Sequence, residues 1–99
     1  MVKNYKTVLF HPLKLEIIIV LIDEDKPVPF WDLKKYLEIG SGHLQQIMLG
    51  LEKYGLIKSN KTFDGRRTLT TFQVTENGKS AFEKLKNWLY VTLFEGVKV

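Results

Sequence analysis

The sequence predicts an α+β fold in the order helix, short strand, helix, helix, β-hairpin and long last helix, and three observations predict it. Apolar residues recur at helical spacing in three short stretches, Leu13 to Leu21, Phe30 to Leu37 and Leu44 to Tyr54. Asp64-Gly65, a hairpin turn signal, separates two runs suited to strands. Thr75 then opens an amphipathic run that continues until Gly96.

Residues 1–10 read as a leader. Pro12 suits a first helical turn, where its missing N–H costs nothing, and Leu13, Ile17, Val20 and Leu21 follow at helical spacing. Leu15, Ile18, Ile19 and Ile22 make the opposite side apolar, so this first helix is expected to be buried on two sides. The β-branched run is also compatible with a strand, but the three leucines extend it beyond strand length and Asp23-Glu24-Asp25 with Pro27 ends it. Pro27-Val28-Pro29-Phe30 reads as an extended connector, because each proline lacks a donor and biases its predecessor away from the helix. Phe30, Leu33, Tyr36 and Leu37 give a second helix of two turns, and Glu38-Ile39-Gly40-Ser41 a tight turn. A third helix starts with Ser41 as N-cap, carries Leu44, Ile47, Met48, Leu51 and Tyr54 as its apolar stripe, and stops at Gly55, a left-handed C′ residue. Leu56 to Phe63 and Thr68 to Thr75 are the two strands. Thr75 caps the last helix, whose stripe of Phe82, Leu85, Leu89 and Leu93 is widened by Trp88, Val91 and Phe94.

Ninety-nine residues hold one core and not two, so residues 1–99 are expected to form a single domain, with 75–95 as its last helix. The absence of cysteine rules out disulfides, thiolate metal sites and thiol nucleophiles. No signal-peptide pattern opens the chain, and the apolar run Ile17 to Ile22 is far too short to span a bilayer, so a cytoplasmic protein without a membrane partner is expected. His11 and His43 stand alone, with no helical acid-His pairing, and no nucleophile-base order or phosphate loop is present. No catalytic residue, metal or cofactor is therefore assigned. A net charge of +4 favours polyanionic partners, and the charge is focused: Lys58, Lys61, Arg66 and Arg67 fall in one stretch opposed only by Asp64.

Two short helices joined by a glycine-containing turn match a helix-turn-helix, and a hairpin directly after the second makes it winged. The motifs that carry this order are His11-Pro12-Leu13-Lys14-Leu15, Ser41-Gly42-His43-Leu44, Leu51-Glu52-Lys53-Tyr54-Gly55-Leu56-Ile57, and Gly65-Arg66-Arg67-Thr68 leading to Val74-Thr75-Glu76-Asn77-Gly78. Through them nearly the whole chain resembles the small stand-alone winged-helix regulators of the MarR/ArsR-like group, archaeal and bacterial. The resemblance implies a three-helix core, a two-stranded wing, a long dimerisation helix, and binding of double-stranded DNA as a homodimer.

Helical geometry gives the same answer from the residues. With Leu44, Met48 and Leu51 turned inward, Gly42, Gln46, Leu49, Gly50 and Lys53 face outward and His43 and Gln45 lie at the edges. Gln can donate and accept against an adenine edge, His can meet guanine acceptors, and Leu can touch a thymine methyl. Ser41 and Lys53 suit phosphates, as do Lys61, Arg66 and Arg67 at the wing, where the arginines can also enter a minor groove. Residues 41–54 are thus expected in the major groove and 58–70 on the backbone or minor groove.

The last helix is apolar over more of its circumference than one small domain covers, and the leader adds further apolar residues. Tyr5, Leu9, Phe10, Trp88, Val91 and Phe94 are therefore assigned to a two-fold dimer interface, the alternative being that leader and last helix cover each other within a monomer. Leu49 replaces the lysine that the resemblance leads one to expect, which leaves the third helix less basic. That motivates a rival function, a protein-interaction adaptor with little intrinsic DNA affinity. The sequence assigns no small-molecule effector.

Overall fold

In the computed structural model, which describes residues 5–96 and all their side chains except those of Tyr5 and Asp64, five helices and three strands follow one another. They are α1 (Tyr5–Leu9), α2 (Pro12–Glu24), β1 (Val28–Pro29), α3 (Phe30–Leu37), α4 (Ser41–Lys53), β2 (Ile57–Asp64), β3 (Arg67–Val74) and α5 (Glu76–Phe94). The strands form an antiparallel sheet in the order β1-β3-β2. This is the expected winged helix, with one element more than the sequence revealed.

The added element is α1. The leader forms one helical turn that seats Val8 and Leu9 in the core beside α5. The Pro27–Phe30 connector holds the expected short strand, β1, in which Val28 and Pro29 pair with Phe72 and Thr71 of β3. Pro29 is tolerated there because β1 lies at the sheet edge, where a missing N–H breaks no inner ladder.

The core forms where α2 crosses the helix-turn-helix and the sheet. Ile17, Ile18 and Leu21 of α2 meet Leu33 of α3, Leu44, Ile47, Met48 and Leu51 of α4, Leu56, Ile57, Phe72 and Val74 of the hairpin region, and Ala81 and Leu85 of α5. Leu13, Leu15, Val20 and Ile22 pack against the cluster, so α2 is covered on most sides, while Ile19 is exposed.

Several boundaries differ from expectation by a residue, at the strand ends and around α4. The N-cap of α4 is Gly40, with extended φ and ψ, and Ser41 is already helical and makes no capping hydrogen bond. Tyr54 is the C-cap of α4 and is exposed, because leaving helical geometry takes it off the 3.6-residue stripe. The hairpin turn is Gly65-Arg66, not Asp64-Gly65: Asp64 pairs with Arg67, and Gly65, with φ +64, supplies the positive φ that a type II′ turn needs at its first central position.

The end of α4, the hairpin and the start of α5 meet at one knot. Leu56 N–H donates to Leu51 O at 3.0 Å and Gly55 N–H to Glu52 O at 2.9 Å, the paired bonds of a Schellman motif, with Gly55 at φ +73. Thr75 caps α5 by accepting from Gly78 N at 3.0 Å, and its hydroxyl donates to Gly55 O at 2.6 Å. Thr75 N–H donates to Leu56 O at 3.0 Å. Gly78 is buried so close to this chain crossing that a Cβ would run into Leu56 O and lie 2.7 Å from Val74 Cγ2. The knot fixes the angle between α4 and the hairpin, and hence the site below.

The molecule is elongated, 58 × 26 × 21 Å, with a radius of gyration of 14.8 Å. A compact chain of this length would have about 13 Å. Among the described residues no helix is long and apolar enough to cross a membrane.

Candidate nucleic-acid interface

Four buried residues set how α4 sits. Leu44, Ile47, Met48 and Leu51 anchor one side in the core, so the helical period turns the other side outward. Ser41, Gly42, His43, Gln45, Gln46, Leu49 and Lys53 are all exposed on it, and Gly50 is half-buried. A Cβ at Gly42 or at Gly50 would meet nothing within 4 Å, so no packing inside the chain requires either glycine. No acidic residue stands in the first turn of α4, and Lys53 lies in its last. The N-terminal end therefore presents its free N–H groups without a competing carboxylate.

The wing rises beside this helix. Pairing runs from Ile57 with Val74 at the base to Asp64 with Arg67 at the tip, about 24 Å along the strand. Side chains alternate between faces, so Ile57, Ser59, Lys61 and Phe63 share one face with Thr68, Thr70, Phe72 and Val74. Ile57, Phe72 and Val74 are core residues, which makes this the inward face at the base. Higher up, Ser59, Lys61, Thr68 and Thr70 form one wall of a cleft of about 380 Å³ whose other walls include Gln45, Leu49 and Glu52 of α4 and Phe30 and Trp31 of α3. Helix and wing thus border a single concavity, and Ser59 Oγ bridges them by donating to Glu52 Oε2 at 2.8 Å.

Arg66 lies in the turn and Arg67 begins β3; both are exposed, as are Lys58 and Lys61. Ion pairs among the described residues fall elsewhere, joining Lys79 to Asp25 and Glu76, and Lys86 to Glu83. The structure therefore brings Gln45, Leu49 and Lys61 together around the cleft, sets Gln46, Gly50 and Lys53 on the same helix, and holds Arg66 and Arg67 at the projecting tip.

The residues assigned to a dimer interface divide. Leu9 is 0% exposed in the subunit's own core and has no surface left to give a partner, so that assignment is corrected; the one-turn α1, invisible as a periodic pattern, is what buries it. Trp88 is half-buried, with the Phe10 ring edge-on at 5.9 Å and the Lys6 ammonium 4.5 Å from its centre. Leader and last helix thus cover each other at this point. Phe10, Val91 and Phe94 are exposed, together with Tyr90 and Leu93. The side chain of Tyr5 lies outside the described residues.

Sequence reasoning passed over Trp31 and Glu52, which reach the cleft only through tertiary packing. It placed Phe63 at the end of the first hairpin strand but assigned it no contact, although its spacing puts it on the face of Lys61. Among the described residues no group of His, Asp and Glu could hold a metal ion.

The family model for a winged helix DNA-binding domain matches residues 13–93. Among curated proteins none matches the chain in sequence. Among solved structures, a transcriptional regulator homologue from Pyrococcus horikoshii superposes with a TM-score of 0.82 at 26% identity, covering 94% of this chain and 90% of that one. A putative MarR-family regulator from Enterococcus faecalis gives 0.74 at 17% identity, with 87% and 76% covered. A PadR-family regulator from Eggerthella lenta gives 0.65 at 22%, with 78% and 73% covered.

Proposed function

The chain belongs to the winged helix DNA-binding domain family, and from that premise we propose that it is a homodimeric, sequence-specific regulator of transcription that reads double-stranded DNA. The observation that carries the reading is the single concave surface on which the outward side of α4 and the arginine-tipped wing meet. In this reading α4 enters the major groove, where Gln46 and Gln45 address base edges and Leu49 a thymine methyl. Lys53, Lys61, Arg66 and Arg67 hold phosphates, and the arginines reach the adjacent minor groove. The work is binding and not catalysis, and it places the protein with the DNA in the cytoplasm. The Pyrococcus, Enterococcus and Eggerthella proteins, each described as a regulator of transcription or its homologue, support the reading.

A second copy is proposed as the cover for the exposed end of α5. Tyr90, Val91, Leu93 and Phe94 lie there in sequence with little of the subunit over them, Leu93 being 71% and Phe94 73% exposed. Two-fold pairing through this end gives two copies of α4, suited to half-sites about 34 Å apart.

Retention of a random-sequence duplex in a low-salt gel shift tests the DNA reading, with binding expected at micromolar protein. No retention of duplex by folded protein at high concentration would support the adaptor instead. Gln46→Ala is expected to change which duplexes are preferred, as read by selection from a random pool. Sedimentation of the wild type and of Val91→Glu/Phe94→Glu tests the pairing: a dimer that becomes a folded monomer is expected, and a wild-type monomer at all concentrations overturns it.

A further inference from the structure

Phe63 is the most exposed large apolar residue described, at 80%. It makes none of the ring contacts found among the described residues, and it faces only Thr68 across the strands. A hairpin that needs protection from edge pairing gains it from charge, as Lys58, Lys61 and Arg67 provide, and a bare aromatic ring works against it. The ring also adds nothing to the core, which the hairpin joins through Ile57, Phe72 and Val74 at its other end.

Its position is specific. Phe63 shares a face with Ser59 and Lys61, the face that lines the cleft against α4, and it stands one residue pair short of the turn that carries Gly65 and Arg66. From Ser59, on the cleft wall, to Phe63 is about 13 Å of strand. That is close to the width of a major groove, about 12 Å. With α4 in the major groove, the tip would therefore fall over the neighbouring backbone, which sets the exposed ring at the edge of the next groove. Arg66 and Arg67 beside it favour the phosphates lining that groove and draw the apolar group toward the base stack.

We propose that Phe63 is a wedge that enters the minor groove beside the wing, partly unstacks one base step and bends the duplex toward the major groove. The inference rests on the DNA reading above and goes beyond it by giving the wing an apolar contact with the bases and by assigning the complex a deformed duplex. Unstacking is easiest at pyrimidine–purine steps, so the wedge makes the protein select TA or CA/TG steps at a fixed distance from the bases that α4 meets.

The test uses a duplex selected by the wild-type protein from a random-sequence pool, carrying a donor and an acceptor dye at its ends and 2-aminopurine in the step under the wing. Wild-type protein is expected to shorten the end-to-end distance and to raise 2-aminopurine fluorescence. Phe63→Ala is expected to bind roughly tenfold more weakly, with both signals at the level of free duplex and with the step preference gone from its own selection. Phe63→Leu, which keeps an apolar wedge, is expected to restore most of the bend. The residue is too exposed for either change to threaten folding, which circular dichroism checks. A wild-type complex that leaves the duplex straight, or a Phe63→Ala complex bent as far as the wild type, overturns the wedge while leaving the DNA reading intact. Failure of the folded wild type to retain any duplex at low salt removes the DNA reading, and the wedge with it.

Discussion

The two ends of one hairpin differ in what holds them. At the base, Ile57, Phe72 and Val74 are buried, the chain crosses itself at Leu56 and Gly78, and Thr75 binds strand, helix and turn together. At the tip, Phe63 and Arg67 on the same two strands and Arg66 in the turn between them are exposed, held by the ladder and the Gly65 turn alone. Each apolar side chain buried at the base contributes about 1.5–3 kcal/mol, and those exposed at the tip contribute next to nothing. Stability is therefore concentrated at one end and the capacity to meet a partner at the other. Substitutions should separate the two properties according to their height on the hairpin.

The largest effect is expected at the base. Gly78→Ala places a Cβ against Leu56 O and Val74 Cγ2, atoms of a backbone crossing and a core side chain that cannot both retreat. A loss of about 1–3 kcal/mol is expected from overpacking, which for a domain of this size lowers Tm by roughly 10 °C. Thermal and urea unfolding measure it. A Tm equal to the wild type's would mean that the base yields as easily as the tip, and the comparison would fail.

At the tip the same instruments should find almost nothing. Arg66→Ala/Arg67→Ala is expected to shift stability by less than about 0.5 kcal/mol, as surface changes do. It should instead weaken binding to all duplexes together and lower the log–log salt slope by about 0.9 for each phosphate that a subunit no longer neutralises. Gel shifts across a salt series measure this. A double variant that binds with the wild-type slope would take the wing out of the interface.

How legible each part was in the sequence follows from how local its cause is. The bounds of α3 were readable at both ends, because Pro29 blocks extension backward and the stripe of Phe30, Leu33 and Leu37 ends on Glu38, which adopts a left-handed φ of 55°. Thr75 was readable as a cap because its role depends on the next three residues. By contrast α1 is a single turn whose reason to exist is the packing of Val8 and Leu9 beside α5, and the short strand β1 was legible from its prolines while its partner, Phe72, 44 positions away from Val28, was not. The outward side of α4 was legible as a pattern, since the inward residues define it by period. The cleft was not, because Trp31 of α3 and Glu52 of α4 reach it only through the way those helices pack against the hairpin. The mistaken placement of Leu9 has the same origin: apolar spacing shows that a residue needs cover and does not say whether its own chain supplies it.

The smallest expected effect concerns a second glycine and has the opposite sign to the first. Gly50 lies inside α4, where glycine costs about 1 kcal/mol relative to alanine, and a Cβ there would meet nothing within 4 Å. Nothing in the subunit compensates that cost. Gly50→Ala is therefore expected to raise stability by about 0.5–1 kcal/mol. If the helix lies against a duplex as proposed, the added methyl occupies space that the sugar-phosphate backbone would approach, so affinity should fall as stability rises. Unfolding curves and gel shifts on one preparation decide the matter. A variant both more stable and equally tight in binding would show that Gly50 faces open solvent in the complex, and α4 would have to be rotated in the groove to bring Gln46 forward without it.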